Sequence, residues 1–423
     1  MDDQAYPPEL CLFEPPPQEA SLQKLQYVEY RPNSQLNSGP LTFVINPTAN
    51  QYIDLKRTRL HIKAKLVKGD GSTPAVTENV APCNLILQSL FGQVEIQMQQ
   101  QVVSNCQLYG YKAYIETVLD NDKSVKETKL QMQGYYKDDA GVMENMSNKP
   151  EEIFNQGFVD RMGLFSSGRI VDLEGPIFSD IAQQSRLILN GVEIQIKMWP
   201  AKDEFLMMSK VEGANYRILL VEAYLRVCKI TPIPAVMLAH SEVIKEKPAL
   251  YPYSRTQMKA YQLNQGQYSF QLEDVFLSDV PVDIVLGLVN AGSFNGSYDT
   301  NPYDFQNYNL GSLAVYLDDE SVPSKPLKMN YAQKNWITAY NTLFKTYAEE
   351  GNDISRVDYP YGYTLYMFRM IPDHLPPFMS SLTRGNVKIQ GTFDTPLPEN
   401  VTLLVYAKFP SMMTVDSARN IQI

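Results

Sequence analysis

Asn190-Gly191-Val192-Glu193-Ile194-Gln195 has a partner one half-chain later, Gly385-Asn386-Val387-Lys388-Ile389-Gln390. Each is a turn running into an alternating strand. Three further pairs keep the same order. Val94-Glu95-Ile96-Gln97-Met98, with Val103-Ser104 beyond it, matches Leu313-Ala314-Val315-Tyr316-Leu317, with Val322 beyond it. A helical stretch follows each, with Ala113-Tyr114 in one and Ala339-Tyr340 in the other. Leu219-Leu220-Val221-Glu222-Ala223 matches Leu403-Leu404-Val405-Tyr406-Ala407. Alternating strands look alike, so one match means little. Four in one order argue for an internal duplication.

Working outward, the period is two along most of the chain. Thr58, Leu60, Ile62, Ala64 and Leu66 alternate with Arg57, Arg59, His61, Lys63 and Lys65, which predicts a half-buried strand with one charged, exposed face. Further strand patterns fall at 168–174, 187–198, 216–230, 282–289, 362–370, 386–393 and 401–409. Helical spacing appears at 108–119, 235–245 and 331–346. Residues 120–160 are polar and read as an irregular surface loop. Each half then holds about eight strands and one helix, placed after the sixth strand. That count predicts an all-β double jelly roll, two tandem eight-stranded sandwiches each with one helix in a long loop. An immunoglobulin pair lacks the helix, and a propeller needs more and shorter repeats. The predicted division is a Pro-rich N-terminal arm over 1–34, a first jelly roll over 35–230, a linker with a short helix over 231–254, and a second jelly roll over 255–423.

The chain has 423 residues, 37 basic and 47 acidic, for a formal net charge of −10. A nucleic-acid binder needs a basic surplus to neutralise phosphates, so sequence-specific nucleic-acid binding is not expected. The 27 tyrosines exceed the 17 phenylalanines, and a ring with one polar end suits interfaces. No apolar run reaches the ~20 residues of a membrane span, and the acidic start Met1-Asp2-Asp3 carries no secretory signal. The four cysteines, Cys11, Cys83, Cys106 and Cys228, form no CxxC pair and read as buried small hydrophobes.

No residues suggest chemistry. His61, His240 and His374 form no HExxH or His/Cys cluster, so no metal, cofactor or catalytic residue is predicted. Asp120-Asn121-Asp122-Lys123-Ser124 opens like a calcium loop, but Val125 and Gln131 stand where the glycine and the bidentate glutamate are required. Asp318-Asp319-Glu320 reads as a solvated turn. Asn145, Asn295 and Asn400 begin glycosylation sequons that mean little without a secretory signal.

Several stretches resemble the double jelly-roll, hexon-type major capsid proteins of Polinton/Maverick and adintovirus-like elements. They include Gly39-Pro40-Leu41-Thr42-Phe43, Tyr52-Ile53-Asp54-Leu55, Tyr111-Lys112-Ala113-Tyr114-Ile115-Glu116, Val322-Pro323-Ser324-Lys325-Pro326-Leu327 and Glu350-Gly351-Asn352-Asp353-Ile354. The resemblance spans roughly residues 35–423. It implies a structural protein rather than an enzyme, made in the host cytoplasm and found in the virion. It further implies a homotrimer that mimics a hexamer, tiles an icosahedral shell, and meets neighbouring capsomers and a penton or minor capsid protein. The competing reading is a carbohydrate-binding or glycan-processing protein on the same scaffold, since the fold serves many functions. A minor capsid component or a host-retained copy is compatible with the same residues. The Pro-rich segment Tyr6–Gln18, with Leu10, Leu12 and Phe13 among its prolines, is expected to act as an arm between subunits.

Overall fold

The computed structural model describes residues 20–149, 151–213, 215–344, 352–371 and 383–423. Cys11, His374 and the prolines of the first 19 residues lie outside them, as do part of the 331–346 stretch and of the motif beginning at Glu350.

Sixteen strands build two jelly rolls. In the first they are β1 (Leu22–Tyr30), β2 (Leu41–Ile45), β3 (Tyr52–Lys68), β4 (Phe91–Met98), β5 (Gln101–Cys106), β6 (Val171–Pro176), β7 (Ile194–Pro200) and β8 (Tyr216–Pro232). In the second they are β9 (Ala249–Leu263), β10 (Ser269–Phe276), β11 (Asp283–Asn290), β12 (Leu310–Leu317), β13 (Glu320–Lys328), β14 (Leu365–Arg369), β15 (Val387–Phe393) and β16 (Val401–Val415). The first roll pairs its strands as β1-β8-β3-β6 and β2-β7-β4-β5. The second pairs them as β9-β16-β11-β14 and β10-β15-β12-β13. Adding eight to each label turns one order into the other. The four sequence pairs therefore occupy equivalent strands and helices, which is what a duplication requires.

Alternation decides which face is buried. Opposite β7, Leu41, Phe43 and Ile45 of β2 meet Met198, Ile196 and Ile194, and all six are buried. In β3, Leu60, Ile62 and Ala64 turn inward while Arg59, Lys63 and Lys65 turn outward. In the second roll Ile284, Leu286 and Leu288 of β11 meet Ala407, Val405 and Leu403 of β16. β11 is buried on both faces over Asp283–Val289, so something also covers this sheet from outside.

Among the described residues three helices reach ten residues or more: α1 (Tyr109–Asp120), α2 (Gln156–Phe165) and α3 (Pro234–Glu246). Pro234 opens α3 in the first turn, where its missing N–H costs nothing. The second roll has a short counterpart of α1 at Ile337–Asn341.

Several expectations change. The first roll begins at Leu22, well before residue 35, because β1 pairs with β8 from Leu22↔Pro232 to Tyr30↔Leu225. The second begins at Ala249, inside the expected linker. In both rolls the helix follows the fifth strand rather than the sixth. Residues 120–160 are no solvent loop: Lys126, Leu130, Tyr135, Asp138, Met143, Met146 and Asn155 are buried there. His61 lies on the outward face as the alternation predicts, yet it is 6% exposed.

Candidate assembly surface

α1 explains the double burial of β11. It has buried residues at ten consecutive positions, Tyr109 through Val118, far more than a one-sided amphipathic helix shows. One side rests on its own roll and the other on the outer face of the β9-β16-β11-β14 sheet. There Ile115, Glu116, Leu119 and Asp120 enclose a small cavity with Val285, Met367, Tyr406 and Lys408. Tyr406 Oη donates to Glu116 Oε1 at 2.8 Å, and Lys408 Nζ lies 3.7 Å from Asp120 Oδ2.

The charge below this contact is fully sequestered. Lys112 Nζ is buried 3.2 Å from Glu116 Oε1 and 3.0 Å from Asp180 Oδ1, and donates to the Phe178 carbonyl at 2.7 Å. Burial opposes its charge, but Asp180 and Glu116 outweigh that and hold the ammonium above its ordinary value. Asp180 Oδ2 in turn accepts from Thr256 N of β9 at 2.8 Å. One buried lysine thus organises two carboxylates that grip the second roll.

A second network lies where residues 120–160 were expected to meet water. Arg161 and Asp138 are both fully buried and pair at 2.8 Å. Asp138 also accepts from the side-chain amides of Asn84 at 3.2 Å, Asn155 at 2.7 Å and Asn301 at 3.3 Å. Its carbonyl accepts from Tyr363 Oη at 2.6 Å. Asn301 and Tyr363 come from the second roll, so the network spans the seam. Nearby, Tyr114 stacks on Tyr303 with ring centroids 4.1 Å apart, and Tyr303 Oη lies 2.6 Å from Ser89 Oγ. Lys126 pairs with Asp353, and Lys137 Nζ lies 3.2 Å from Asp358 Oδ2. Buried charges persist only when paired and hydrogen-bonded, and here the partners come from both rolls.

The equivalent outer face of the first roll differs. On the β1-β8-β3-β6 sheet, Leu25 and Tyr27 stand outward at 42% and 49% exposure. Around them lies a laced charged surface, with Lys63–Glu222 at 2.8 Å and Arg226–Glu174 at 3.2 Å. The Lys63 bond holds the Glu222 carboxyl below its ordinary range. The centre of this face lies under α1 in the second roll, whereas in the first it carries charged pairs and an exposed apolar edge at β1.

The residues singled out in the sequence do not converge. His61 stacks on Tyr224 at 4.3 Å, 3.3 Å from Glu174 Oε2, while Tyr52 Oη, at the start of β3, lies 2.9 Å from His240 Nδ1. Asp122 caps a helical turn by accepting from Val125 N at 2.9 Å. Asp318 and Asp319 have φ of 47° and 71° and form the β12–β13 turn. Cys83, Cys106 and Cys228 are buried, and burial pushes the first two thiols up to about 12 and about 11. Asn295 and Asn400 of the sequons hydrogen-bond the Ala291 carbonyl and Gln265 N, at 2.8 and 2.9 Å. Among the described residues no group of three His, Cys, Asp or Glu side chains is placed to hold a metal ion, and no helix is long and apolar enough to cross a membrane.

The sequence missed one acidic site. Asp304, with Glu144 and Glu399 nearby, lines a polar pocket of 460 Å³. Burial is the main cause that raises the Asp304 carboxyl to about 7, opposed by Gln306 and reinforced by the neighbouring carboxylates. Three acids scattered over 255 positions leave no local pattern to read.

No protein-family model matches the chain. An uncharacterised protein of Caenorhabditis elegans is 25% identical over 402 residues, covering 90% of this chain and 92% of that protein. Among solved structures, a chain of the Sputnik virophage superposes with a TM-score of 0.64 at 12% identity, covering 99% of this chain and 92% of its own. The mavirus major capsid protein gives a TM-score of 0.54 at 12% identity, covering 99% and 93%. A chain of the PBCV-1 virus capsid gives 0.58 at 11% identity, covering 97% and 99%. The chain therefore shares, over nearly its whole length, the double jelly-roll fold of viral capsid proteins.

Proposed function

We propose that the protein is a capsid subunit that trimerises into pseudo-hexameric capsomers and tiles an icosahedral shell. The observation that carries this is the unequal burial of two equivalent sheet faces. Within one chain, α1 of the first roll covers the outer face of the second roll's sheet. A ring of six alternating rolls needs six such contacts, and one chain supplies its own only once. In a closed trimer three contacts are made within chains and three between them. The second roll's segment after β13, with Ile337 52% and Phe344 37% exposed, then faces Leu25 and Tyr27 of the next chain.

The full-length likeness to capsid chains supports the same reading. Neighbouring capsomers and a penton or minor capsid protein are the further partners, and the virion is the location. The sequence resemblance and the nematode relative favour a Polinton/Maverick or adintovirus-like lineage carried in animal genomes. The division into arm, first roll, linker and second roll belongs to the proposal, with the arm ending before β1. A permanent interface of this kind buries on the order of 2,000 Å² or more. Light scattering on the wild type and on L25E/Y27E tests it. The wild type should be trimeric and the variant a folded monomer; a variant that stays trimeric would remove this face from the interface.

A further inference from the structure

α3 has no buried residue, although Val236, Val243 and Ile244 recur along one side. That side looks into a groove of 610 Å³, whose opposite walls include Leu22, Pro248 and Leu250. Leu250 is 45% and Val243 47% exposed. The groove rim carries Arg186, Lys247 and His240, and none of the described residues that line it is Asp or Glu. It is thus an apolar slot with a basic rim.

The N-terminal end of the first roll lies inside this slot. Ser21 and Leu22 form part of its wall, and the Ser21 carbonyl accepts from Ile233 N at 3.0 Å. The first described residues of the chain thus lie at the groove. The composition of the segment before them is the groove's complement. Residues 1–21 contain Asp2, Asp3, Glu9, Glu14 and Glu19 and no lysine or arginine. They carry one apolar cluster, Leu10, Leu12 and Phe13. Only Glu14–Glu19 separate Phe13 from Ala20, so the cluster can lie no farther than roughly 25 Å from the groove.

We propose that Leu10–Phe13 of the same chain docks in the groove between α3 and the start of β9, with its flanking acids against Arg186 and Lys247. The short tether favours the chain's own segment over a neighbour's, because it fixes a high effective concentration at the site. Prolines outside the contact lower the ordering cost. Docking of this kind involves one chain, is independent of trimerisation, and replaces the expected arm between subunits.

Cys11 lies within the docking segment, and Cys83, Cys106 and Cys228 are buried. The test uses the full-length Val243→Cys variant treated with a short bismaleimide, then denaturing electrophoresis and peptide mass mapping. The expected result is a link between Cys11 and the introduced thiol within one chain. The link should be lost in an added L12E/F13E background, where both thiols still take N-ethylmaleimide. Absence of the link in the first variant, a link joining two chains, or a link that survives L12E/F13E would each overturn the proposal.

Discussion

Removing the Asp138 carboxylate tests the seam where it is most demanding. In D138A the Arg161 guanidinium stays buried and keeps its bonds to the Pro82 and Tyr136 carbonyls, at 2.9 and 3.1 Å, but loses its counter-charge. Breaking a buried pair from one side costs about 3–5 kcal/mol. Asn84 and Asn155 retain the Tyr136 and Met143 carbonyls, so their lost bonds add only ~1 kcal/mol. Adding Arg161→Met should recover much of this, since no uncompensated charge remains. The assay uses the two tryptophans, Trp199 in β7 of the first roll and Trp336 beside Ile337–Asn341 in the second. W199F and W336F backgrounds report one roll each during urea unfolding. The wild-type rolls should unfold together, and D138A should lower both midpoints. A loss below ~1 kcal/mol in D138A, or a double variant no better than the single, would refute the reasoning.

Tyr406→Phe removes the hydroxyl that donates to the Glu116 carboxylate, and should cost about 1–3 kcal/mol in the same assay. Asp304 binds its proton more tightly folded than unfolded, with a pKa near 7 against 3.8, so its contribution favours the native state at low pH. Stability should therefore fall as pH rises from about 4 to about 7, by at most ~4 kcal/mol for a shift of this size; D304N should flatten that stretch of a melting-temperature profile. The buried thiols of Cys83 and Cys106 should resist a disulfide reagent at pH 8 until denaturant is added, and rapid native labelling of either would contradict their placement.

The strands were legible where one face met the core and the other met water. β3 shows this, with Leu60, Ile62 and Ala64 set against Arg59, Lys63 and Lys65. The duplication was legible because equivalent strands kept equivalent apolar patterns. β1 was not, because an edge strand exposed over Leu22–Leu25 has no buried face to impose alternation there. The preceding prolines also extended the apparent arm across it. Residues 120–160 misled for the opposite reason. Their polar side chains are buried by partners far along the chain, as Asp138 is by Arg161, Asn301 and Tyr363. His61 was placed on the correct face, but only the fold brings Tyr224 across it. The contact surfaces depend on long-range pairing and have no local motif.

The central claim rests on the state of the purified protein. Light scattering with negative-stain imaging, at concentrations well above micromolar, should give three times the 48.1 kDa chain mass and a six-sided outline. A folded protein that remains a 48.1 kDa monomer throughout would contradict the account.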